Sequence, residues 1–308
     1  MGNLKNTDPE MKHVTAHDIS SEPSVRRIIR EALREDIGPG DVTTKALVPA
    51  GLTASAILWT REPCVIAGVT IAAAVFKTVD PRICVRIHMS DGQAATREGK
   101  VMTITGPARG ILTAERVALN FIQRLSGIAT LTRRYAQMVK PYHTCILDTR
   151  KTTPGLRILE KYGVRCGGGT NHRMGLYDMV LIKDNHRFLW AGRGDLDAAI
   201  KEARLCYPGI PIEIEVENIE EFIQALRGKP DWIMLDNMSP AMMRRCVKLS
   251  HGQCRIEASG GVDLQRVRRI AAAGVDAISV GKLTHSAPAI DLSLEIDFKT
   301  SAQCRCER

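Results

Sequence analysis

The second half of the chain repeats one pattern: a short apolar run, a charged or glycine-containing end, and an amphipathic stretch. The apolar runs end near six positions, at Asp148, Lys183, Glu215, Asp236, Ser259 and Gly281. The last four ends follow one another at roughly 22 residues, about the length of one strand, one helix and two loops. This alternation predicts an α/β fold with a parallel sheet, for which a barrel is the simplest arrangement. A doubly wound open sheet is the alternative.

The first part of the chain has a different pattern. Val25–Glu35 carries apolar residues at helical spacing, and from Leu52 to Leu112 short apolar runs alternate with Gly and Pro turns. A long helical pattern from Thr113 to Lys140 has an expected interruption near Gly127, and the segment after Ala287 is predicted to be helical. The predicted divisions are a disordered lead at 1–20, an N-terminal α+β domain at 21–118 that the C-terminal segment 287–308 joins, and an α/β barrel domain at 119–286.

The charge balance favours small anionic ligands. Lysine and arginine number 43 against 34 acidic residues, a net charge of +9, and the basic residues are dispersed rather than grouped in one face or tail. We therefore expect no nucleic-acid partner. No apolar run approaches the length of a membrane span, so we expect no membrane partner. The nine cysteines lack paired metal-ligand spacing, and the polar start does not resemble a signal peptide, which favours reduced thiols in the cytoplasm.

The predicted strand ends carry the candidate binding and catalytic residues. In a parallel barrel the carboxyl ends of the strands share one rim, where active sites form. We expect this rim to gather Arg150, Lys151, Lys183, Glu215 and Asp236. A lone Lys or Glu after a strand is usually a solvated loop residue, whereas charged or glycine-containing ends on six consecutive strands favour a shared site. Arginine offers a planar fork for a carboxylate or phosphate, and lysine offers a mobile positive charge.

Two carboxylates and three glycine-containing loops complete the predicted rim. Glu215 and Asp236 suit a divalent metal or sugar hydroxyls. They are less suited to act as a general acid and base, because the surrounding cations lower carboxylate pKa values. The loops that begin at Ser259 and Gly281 stand where barrels of this kind bind phosphate. Gly167–Gly169, before His172 and Arg173, allows either backbone contact with an anion or a flexible hinge.

Nine segments carry a resemblance to a known family. In chain order they are EDIGPGDVTT, NFIQRLSGIAT, LDTRKTTPGLR, KYGVRCGGGTNHR, LIKDNH, IEVE, MLDNM, EASGGV and VGKLTHS. With these segments the chain resembles the quinolinate phosphoribosyltransferase family, also called nicotinate-nucleotide pyrophosphorylase (carboxylating). The match extends from about Glu35 to Ile296.

The resemblance implies a fold, a reaction and roles for individual residues. The fold is an N-terminal α/β layer on an incomplete α/β barrel, and the assembly is a homodimer or higher homo-oligomer with shared active sites. The reaction joins quinolinate to phosphoribosyl pyrophosphate with Mg²⁺ and releases carbon dioxide. The implied binding residues are Arg150, His172 and Arg173 for the quinolinate carboxylates, Arg116 from the neighbouring subunit, Lys151 and Lys183 near substrate and phosphates, Glu215 and Asp236 for ribose and magnesium, and Ser259, Gly260, Gly281 and His285 for phosphate. Thr149 is a further candidate substrate ligand beside Arg150.

Two other functions remain open from the sequence. A paralogue with the same fold, including a molybdenum-associated branch, would use another acceptor than quinolinate. A non-catalytic protein that binds phosphorylated metabolites or RNA would belong to a different class. Arg150, His172 and Arg173 favour a dicarboxylate over another acceptor, and the presence of both carboxylates and all the cations favours an enzyme.

Overall fold

The structure is a computed structural model that describes residues 18–190 and 192–297. The expected disordered lead at 1–20 lies outside the described residues except for its last three positions. The end of the segment 287–308, from residue 298 onward, also lies outside them.

The N-terminal elements form a helical layer against an antiparallel sheet. In chain order they are α1 (Pro23–Ile37), α2 (Val42–Leu47), β1 (Thr53–Thr60), β2 (Cys64–Val65), α3 (Val69–Val79), β3 (Cys84–Ile87), β4 (Ala94–Ala95) and β5 (Lys100–Pro107). Pro23 stands in the first turn of α1, where its missing N–H costs no hydrogen bond. Val25, Ile29 and Leu33 repeat every four residues and bury one face of that helix.

The remaining elements alternate between helices and strands. They are α4 (Ala108–Val139), a 3₁₀ turn (Lys140–Tyr142), β6 (Cys145–Leu147), α5 (Arg157–Cys166), β7 (Val180–Ile182), α6 (Asp184–Trp190), α7 (Leu196–Cys206), β8 (Ile212–Val216), α8 (Ile219–Arg227), β9 (Trp232–Asp236), α9 (Pro240–Ser250), β10 (Arg255–Ser259), α10 (Val267–Ala271), β11 (Ala277–Ser279), α11 (Lys282–His285) and β12 (Leu292–Asp297).

Six of these strands form one parallel sheet in the order β6-β11-β10-β9-β8-β7. Its edge strands β6 and β7 do not pair with each other in the described chain, and an isolated parallel bridge joins Leu147 of β6 to Thr170, which precedes β7. The prediction of an α/β fold with an incomplete parallel barrel and an N-terminal α+β layer is therefore confirmed. All five residues of β8 are buried, as expected for a strand with helices outside and packed side chains inside.

The N-terminal sheet has the order β12-β1-β5-β3 and is antiparallel throughout. The segment after Ala287 was expected to be helical, and this prediction is wrong: Leu292–Asp297 is a strand. Its residues pair with β1, from Ser55↔Asp297 to Thr60↔Leu292, so hydrogen bonding to a distant strand decides its conformation.

The long helix α4 runs without a break from Ala108 to Val139, so the expected interruption near Gly127 is also wrong. Gly127 is needed for packing instead. A Cβ atom at this position would lie 1.9 Å from the backbone oxygen of Pro288, so a side chain larger than hydrogen does not fit. The glycine lets the chain after the barrel cross α4 at close range.

Short, capped connections fix the loops at the carboxyl ends of the strands. The Asn218 side chain accepts a hydrogen bond from the Glu221 backbone N–H (2.9 Å) at the start of α8. Ser239 does the same for Met242 (3.3 Å) at the start of α9, where Pro240 is the first helical residue. Among the described residues, no helix combines the length and apolar character needed to cross a membrane.

Candidate active site

The strand ends of the parallel sheet bring most of the predicted site residues to one rim. Asp236 and Ser259 are register partners at the ends of β9 and β10, and Glu215 pairs with Met234 one strand away. The positions on this rim are Thr149, Arg150 and Lys151 after β6, Lys183 after β7, Glu215 in β8, Asp236 in β9, Ser259 and Gly260 at the end of β10, and Gly281 and His285 after β11. Neighbouring strands thus contribute cations, carboxylates and glycines to a common mouth.

Lys151 lies against the loop that contains Gly281 and His285. The Thr284 hydroxyl donates a hydrogen bond to the backbone oxygen of Lys151 (2.7 Å). A Cβ atom at Gly281 would be 3.2 Å from both Lys151 Cδ and His285 Nε2. His285 Nδ1 and the Ser286 hydroxyl are 2.6 Å apart. This arrangement gathers a lysine, an imidazole and a hydroxyl around a stretch of exposed backbone, which suits a phosphate group.

Lys183 and Glu215 form an ion pair across β7 and β8, with 3.1 Å between Nζ and Oε2. The Lys183 side chain is 44% exposed and that of Glu215 is 12% exposed, so a ligand at the mouth can reach both. Arg187 donates a second hydrogen bond to the Glu215 backbone oxygen (3.2 Å). A partly exposed pair of this kind is free to exchange partners when an anion or a cation binds.

Glu215 and Asp236 are the carboxylates that suit Mg²⁺. They lie on neighbouring strands, and Asp236 Oδ2 accepts a hydrogen bond from the Asn237 side chain (3.0 Å). Magnesium is usually held by one or two carboxylates together with water and substrate phosphates. The donor set present at this rim therefore fits a magnesium ion that shares its coordination with a phosphorylated substrate.

The backbone after β10 is drawn against the end of β9. Asn237, itself at φ 52°, donates its backbone N–H to the Ser259 oxygen (3.0 Å). Gly260 has φ 91°, and a Cβ atom there would lie 2.2 Å from Asn237 Oδ1. Only glycine combines this dihedral angle with such a close approach. The result is a tight turn beside Asp236, in which the Asn237 side chain lies against Gly260.

His172 lies on two buried glutamates below the rim. Its Nε2 atom is 3.0 Å from Glu213 Oε2 and 3.3 Å from Glu257 Oε2, and the three side chains are 7%, 0% and 1% exposed. Burial lowers the pKa of His172, but hydrogen bonds to the two carboxylates outweigh burial and raise it to about 10. Burial and the charge of Glu257 raise the pKa of Glu213 to about 7. The cluster therefore keeps a proton at neutral pH that its members would lose in water.

The position of that proton follows from the other ring nitrogen. Arg173 donates its backbone N–H to His172 Nδ1 (2.7 Å), so Nδ1 carries a lone pair and Nε2 carries the ring hydrogen. We therefore place the retained proton between the two carboxylates rather than on Nδ1. The three side chains also have the composition of a metal site, with ligand atoms within 4.8 Å of one another. A metal there would need the Nε2 lone pair, which this hydrogen bond to Nδ1 does not leave available.

Two predicted arginines lie close together at the rim, and a third lies elsewhere. Burial and the neighbouring charge of Arg150 lower the pKa of Arg173, whose Nη1 atom also donates to the Met179 backbone oxygen (3.0 Å). Crowded guanidinium groups of this kind favour an anion between them. Arg116 is exposed on α4 and makes no hydrogen bond or ion pair with the rim residues within the described part of the chain.

Sequence reasoning missed the charged groups below the rim, above all Glu213 and Glu257. Their signal is the position of a glutamate within an otherwise apolar strand, as in Ile212–Val216. Because strand residues alternate between the two faces, Glu213 shares its face with Glu215 and therefore points into the barrel. A charge there requires a partner.

Comparisons with known proteins agree along most of the chain. Residues 41–126 match the family profile described as quinolinate phosphoribosyl transferase, N-terminal domain, and residues 128–295 match that of the C-terminal domain. A quinolinate phosphoribosyltransferase (decarboxylating) 2b, mitochondrial, of Nicotiana tabacum is 41% identical over 299 residues, which cover 91% of this chain and 84% of that protein. A probable nicotinate-nucleotide pyrophosphorylase (carboxylating) of Synechocystis is 44% identical over 275 residues, covering 87% of this chain and 91% of that protein.

Solved structures agree with these relatives. The nicotinate-nucleotide pyrophosphorylase from Francisella tularensis superimposes with a TM-score of 0.84 at 40% identity. The superposition covers 89% of this chain and 96% of that one. The likeness thus includes both the antiparallel layer and the parallel sheet.

Proposed function

The chain belongs to the quinolinate phosphoribosyltransferase family, and we propose that the rim of its parallel sheet is the active site. It is a nicotinate-nucleotide pyrophosphorylase (carboxylating) of NAD biosynthesis, which joins quinolinate to phosphoribosyl pyrophosphate and releases pyrophosphate and carbon dioxide. The observation that carries the site proposal is the gathering of cations from several loops beside the carboxylates of Glu215 and Asp236.

The quinolinate end of the site contains Arg150, Arg173 and Lys183. Arg150 and Arg173 are well placed for a molecule with two carboxylates, because each guanidinium can offer a paired hydrogen bond and the charge of Arg150 acts on Arg173. Thr149 adds a hydroxyl beside them. His172 supports this end of the site from below the rim and does not bind the carboxylates through its ring, since both of its ring nitrogens already have partners within the protein.

The phosphoribosyl end contains the remaining residues. We assign the ribose hydroxyls to Glu215 and Asp236, and the phosphate groups to Lys151, Ser259, Gly260, Gly281 and His285. The short contacts among Lys151, Gly281 and His285 support this assignment. Glu215 and Asp236 would also hold Mg²⁺, which when bound supplies positive charge to the pyrophosphate leaving group.

The mechanism needs alignment more than it needs a strong base. The pyridine nitrogen of quinolinate attacks the anomeric carbon, the bond from that carbon to pyrophosphate breaks, and the leaving group takes the electron pair. Quinolinate and phosphoribosyl pyrophosphate are both anions and repel each other. They are held side by side by Arg150 and Arg173 at one end of the site and by Lys151 at the other. The ring then carries a positive charge, which stabilises the carbanion left when the 2-carboxylate departs as carbon dioxide. Protonation of that carbon completes the reaction.

We propose a homodimer in which Arg116 of one subunit reaches the mouth of the other. Two observations support it. Arg116 is exposed and does not contact its own rim within the described chain. Large apolar side chains are also exposed next to the mouth and in the N-terminal layer, at Leu176, Tyr177, Phe188 and Leu189 and at Val42 and Leu47. A two-fold dimer would cover both sets.

Mixing two inactive variants tests the shared site. Arg116→Ala and Arg150→Ala should each lose turnover alone, because each removes one cation from every mouth. In a random mixture of exchanging subunits, half of the dimers are heterodimers with one intact mouth, so about a quarter of wild-type activity should return. No recovery after verified subunit exchange would remove the shared site and leave the rim assignment in place.

We also propose the division of the chain at about residue 118 and a cytoplasmic location. The division is supported by the two separate sheets that α4 connects. The location is supported by the buried cysteines Cys64, Cys166 and Cys246 of the described chain, which are free thiols. Names of curated relatives include mitochondrial and chloroplastic forms, so cell fractionation is the deciding measurement.

The reaction itself is tested by pyrophosphate release. Purified protein with quinolinate, phosphoribosyl pyrophosphate and Mg²⁺ should release pyrophosphate, and Arg150→Ala and Lys151→Ala should each lower catalytic efficiency by about 100-fold or more. Near-normal efficiency in both variants would remove the proposed pocket.

A further inference from the structure

Arg124 of the long helix α4 binds the loop after β11, here called the β11 loop (residues 280–287). Its guanidinium donates from Nη1 to the Ala287 backbone oxygen (2.9 Å) and from Nη2 to the Thr284 backbone oxygen. The Arg124 side chain is 30% exposed. These contacts fix the far side of the loop that carries Gly281 and His285.

The same guanidinium binds Glu160 of α5. Nη2 and Nε lie 2.8 and 3.2 Å from Glu160 Oε1, and the Glu160 side chain is fully buried. Glu160 in turn accepts hydrogen bonds from the Thr153 backbone N–H (3.1 Å) and hydroxyl (2.8 Å). Thr153 belongs to the loop after β6, here called the β6 loop (residues 149–156). The buried carboxylate thus holds the β6 loop while Arg124 holds the β11 loop.

A third contact closes the network. Thr284, whose backbone oxygen binds Arg124, donates its hydroxyl to the Lys151 backbone oxygen (2.7 Å). The two loops are therefore joined directly at Lys151 and indirectly through the Arg124–Glu160 ion pair. Because a guanidinium presents its donors in a rigid plane, one side chain sets the spacing of all three acceptors.

We infer that Arg124 and Glu160 are positioning residues that hold the β6 and β11 loops at one fixed separation, and so set the affinity for phosphoribosyl pyrophosphate. This inference rests on the proposed function, in which Lys151, Gly281 and His285 bind phosphate. Neither Arg124 nor Glu160 needs to touch the substrate, because their donors and acceptors are occupied by the loops. At the quinolinate end, Arg173 lies outside both loops and has no hydrogen bond with this network within the described chain, whereas Arg150 belongs to the β6 loop.

Amide hydrogen exchange on the protein without substrates tests the coupling directly. In Arg124→Ala, exchange should rise by about tenfold or more in both loops together, since the β11 loop loses its hydrogen-bond donor and Glu160, which holds the β6 loop, loses the guanidinium that fixes it. Arg124→Lys, which keeps the charge but not the planar fork, should give a smaller rise in the same two loops. A change in neither loop, or in the β11 loop alone, would overturn the inference.

Steady-state kinetics tests the effect on substrate affinity. We expect Arg124→Lys and Glu160→Gln each to raise the KM for phosphoribosyl pyrophosphate by about tenfold, with a smaller effect on the KM for quinolinate and on kcat. General destabilisation would lower the active fraction and leave both KM values unchanged. Equal increases in both KM values, or a fall in kcat alone, would contradict the assignment.

Arg204 provides a matched control. It also binds a carboxylate, Asp231 (2.8 Å), and a backbone oxygen, that of Lys229 (3.3 Å), but it does so at the amino ends of the strands. Arg204→Ala should leave both loops and both KM values at wild-type levels. If the wild-type protein showed no turnover, the proposed function would be wrong. Hydrogen exchange would still decide whether Arg124 couples the two loops.

Discussion

Lys161 and Asp148 form an ion pair in which both side chains are almost completely buried, at 1% and 0% exposure. Asp148 also accepts hydrogen bonds from the His172 backbone N–H (2.9 Å) and the Asn171 side chain, while Lys161 donates to the His172 backbone oxygen (3.0 Å). Burial raises the pKa of Asp148 and lowers that of Lys161, and their mutual attraction opposes both changes. The pair therefore fixes the backbone of His172 from both sides.

Removing one partner of this buried ion pair should lower the stability of the folded protein. We expect Asp148→Ala to lower the free energy of unfolding by about 3–5 kcal/mol, because it leaves the Lys161 ammonium buried without a negative charge beside it. Urea denaturation measures the loss. Asp197→Ala is the control, since Asp197 pairs with Lys201 on the helix surface and should change stability little. Similar losses in the two variants would show that burial of the Asp148 pair has no energetic consequence.

Gly127→Ala should destabilise the protein although it places a better helix former inside α4. The added Cβ would collide with the Pro288 backbone oxygen, and overpacking of this kind costs about 1–3 kcal/mol. Gly51→Ala is the control, because a Cβ atom at Gly51 meets no atom within 4 Å. Thermal unfolding of both variants checks the prediction, and an unchanged Gly127→Ala midpoint would contradict the close crossing.

These two sites illustrate what the sequence did and did not predict. The parallel strands were predictable because short runs rich in apolar residues, such as Ile212–Val216, recur at regular spacing. The role of Gly127 was not, since its contact with Pro288 joins residues far apart in the chain. For the same reason the local sequence predicts a helix where Leu292–Asp297 forms a strand: its pairing with β1 outweighs its local preference.

The candidate site divides in a similar way. Residues that follow strands, such as Arg150 and Lys183, were predictable because the fold brings all strand ends to one rim. The ion pairs beneath the rim were not, because each joins residues from different secondary-structure elements. Arg124 and Glu160 are examples: nothing in their local sequence indicates that they meet.

Stability should fall as the pH rises from 6.5 toward 10. His172, Glu213 and Glu257 titrate together, and their interaction raises the pKa of 6.5 of a free histidine to about 10, so the folded cluster keeps, between its carboxylates, a proton that the unfolded chain releases at lower pH. The associated stabilisation is fully present below pH 6.5 and is lost as the pH passes about 10. Urea unfolding of wild type and His172→Gln across this range checks it: the variant should show the flatter profile, and equal slopes would contradict the prediction.

Glu215→Gln and Asp236→Asn should each lower catalytic efficiency by about 100- to 1,000-fold, because each removes a fixed negative charge that we assign to ribose and magnesium. Both variants should also need more Mg²⁺ for half-maximal turnover. Glu217→Gln, a change at an exposed neighbouring position, is the control and should behave like wild type. Magnesium titrations of the three variants measure the effect, and unchanged magnesium dependence in the first two would remove the metal assignment.

The choice of acceptor tests the central claim most directly. Purified protein is incubated with phosphoribosyl pyrophosphate, Mg²⁺ and quinolinate labelled in its 2-carboxylate, and labelled carbon dioxide and pyrophosphate are measured together. We predict that the two products appear in equal amounts, and that nicotinate in place of quinolinate gives neither. Pyrophosphate release that proceeds equally well with nicotinate, or no release with quinolinate, would contradict the account.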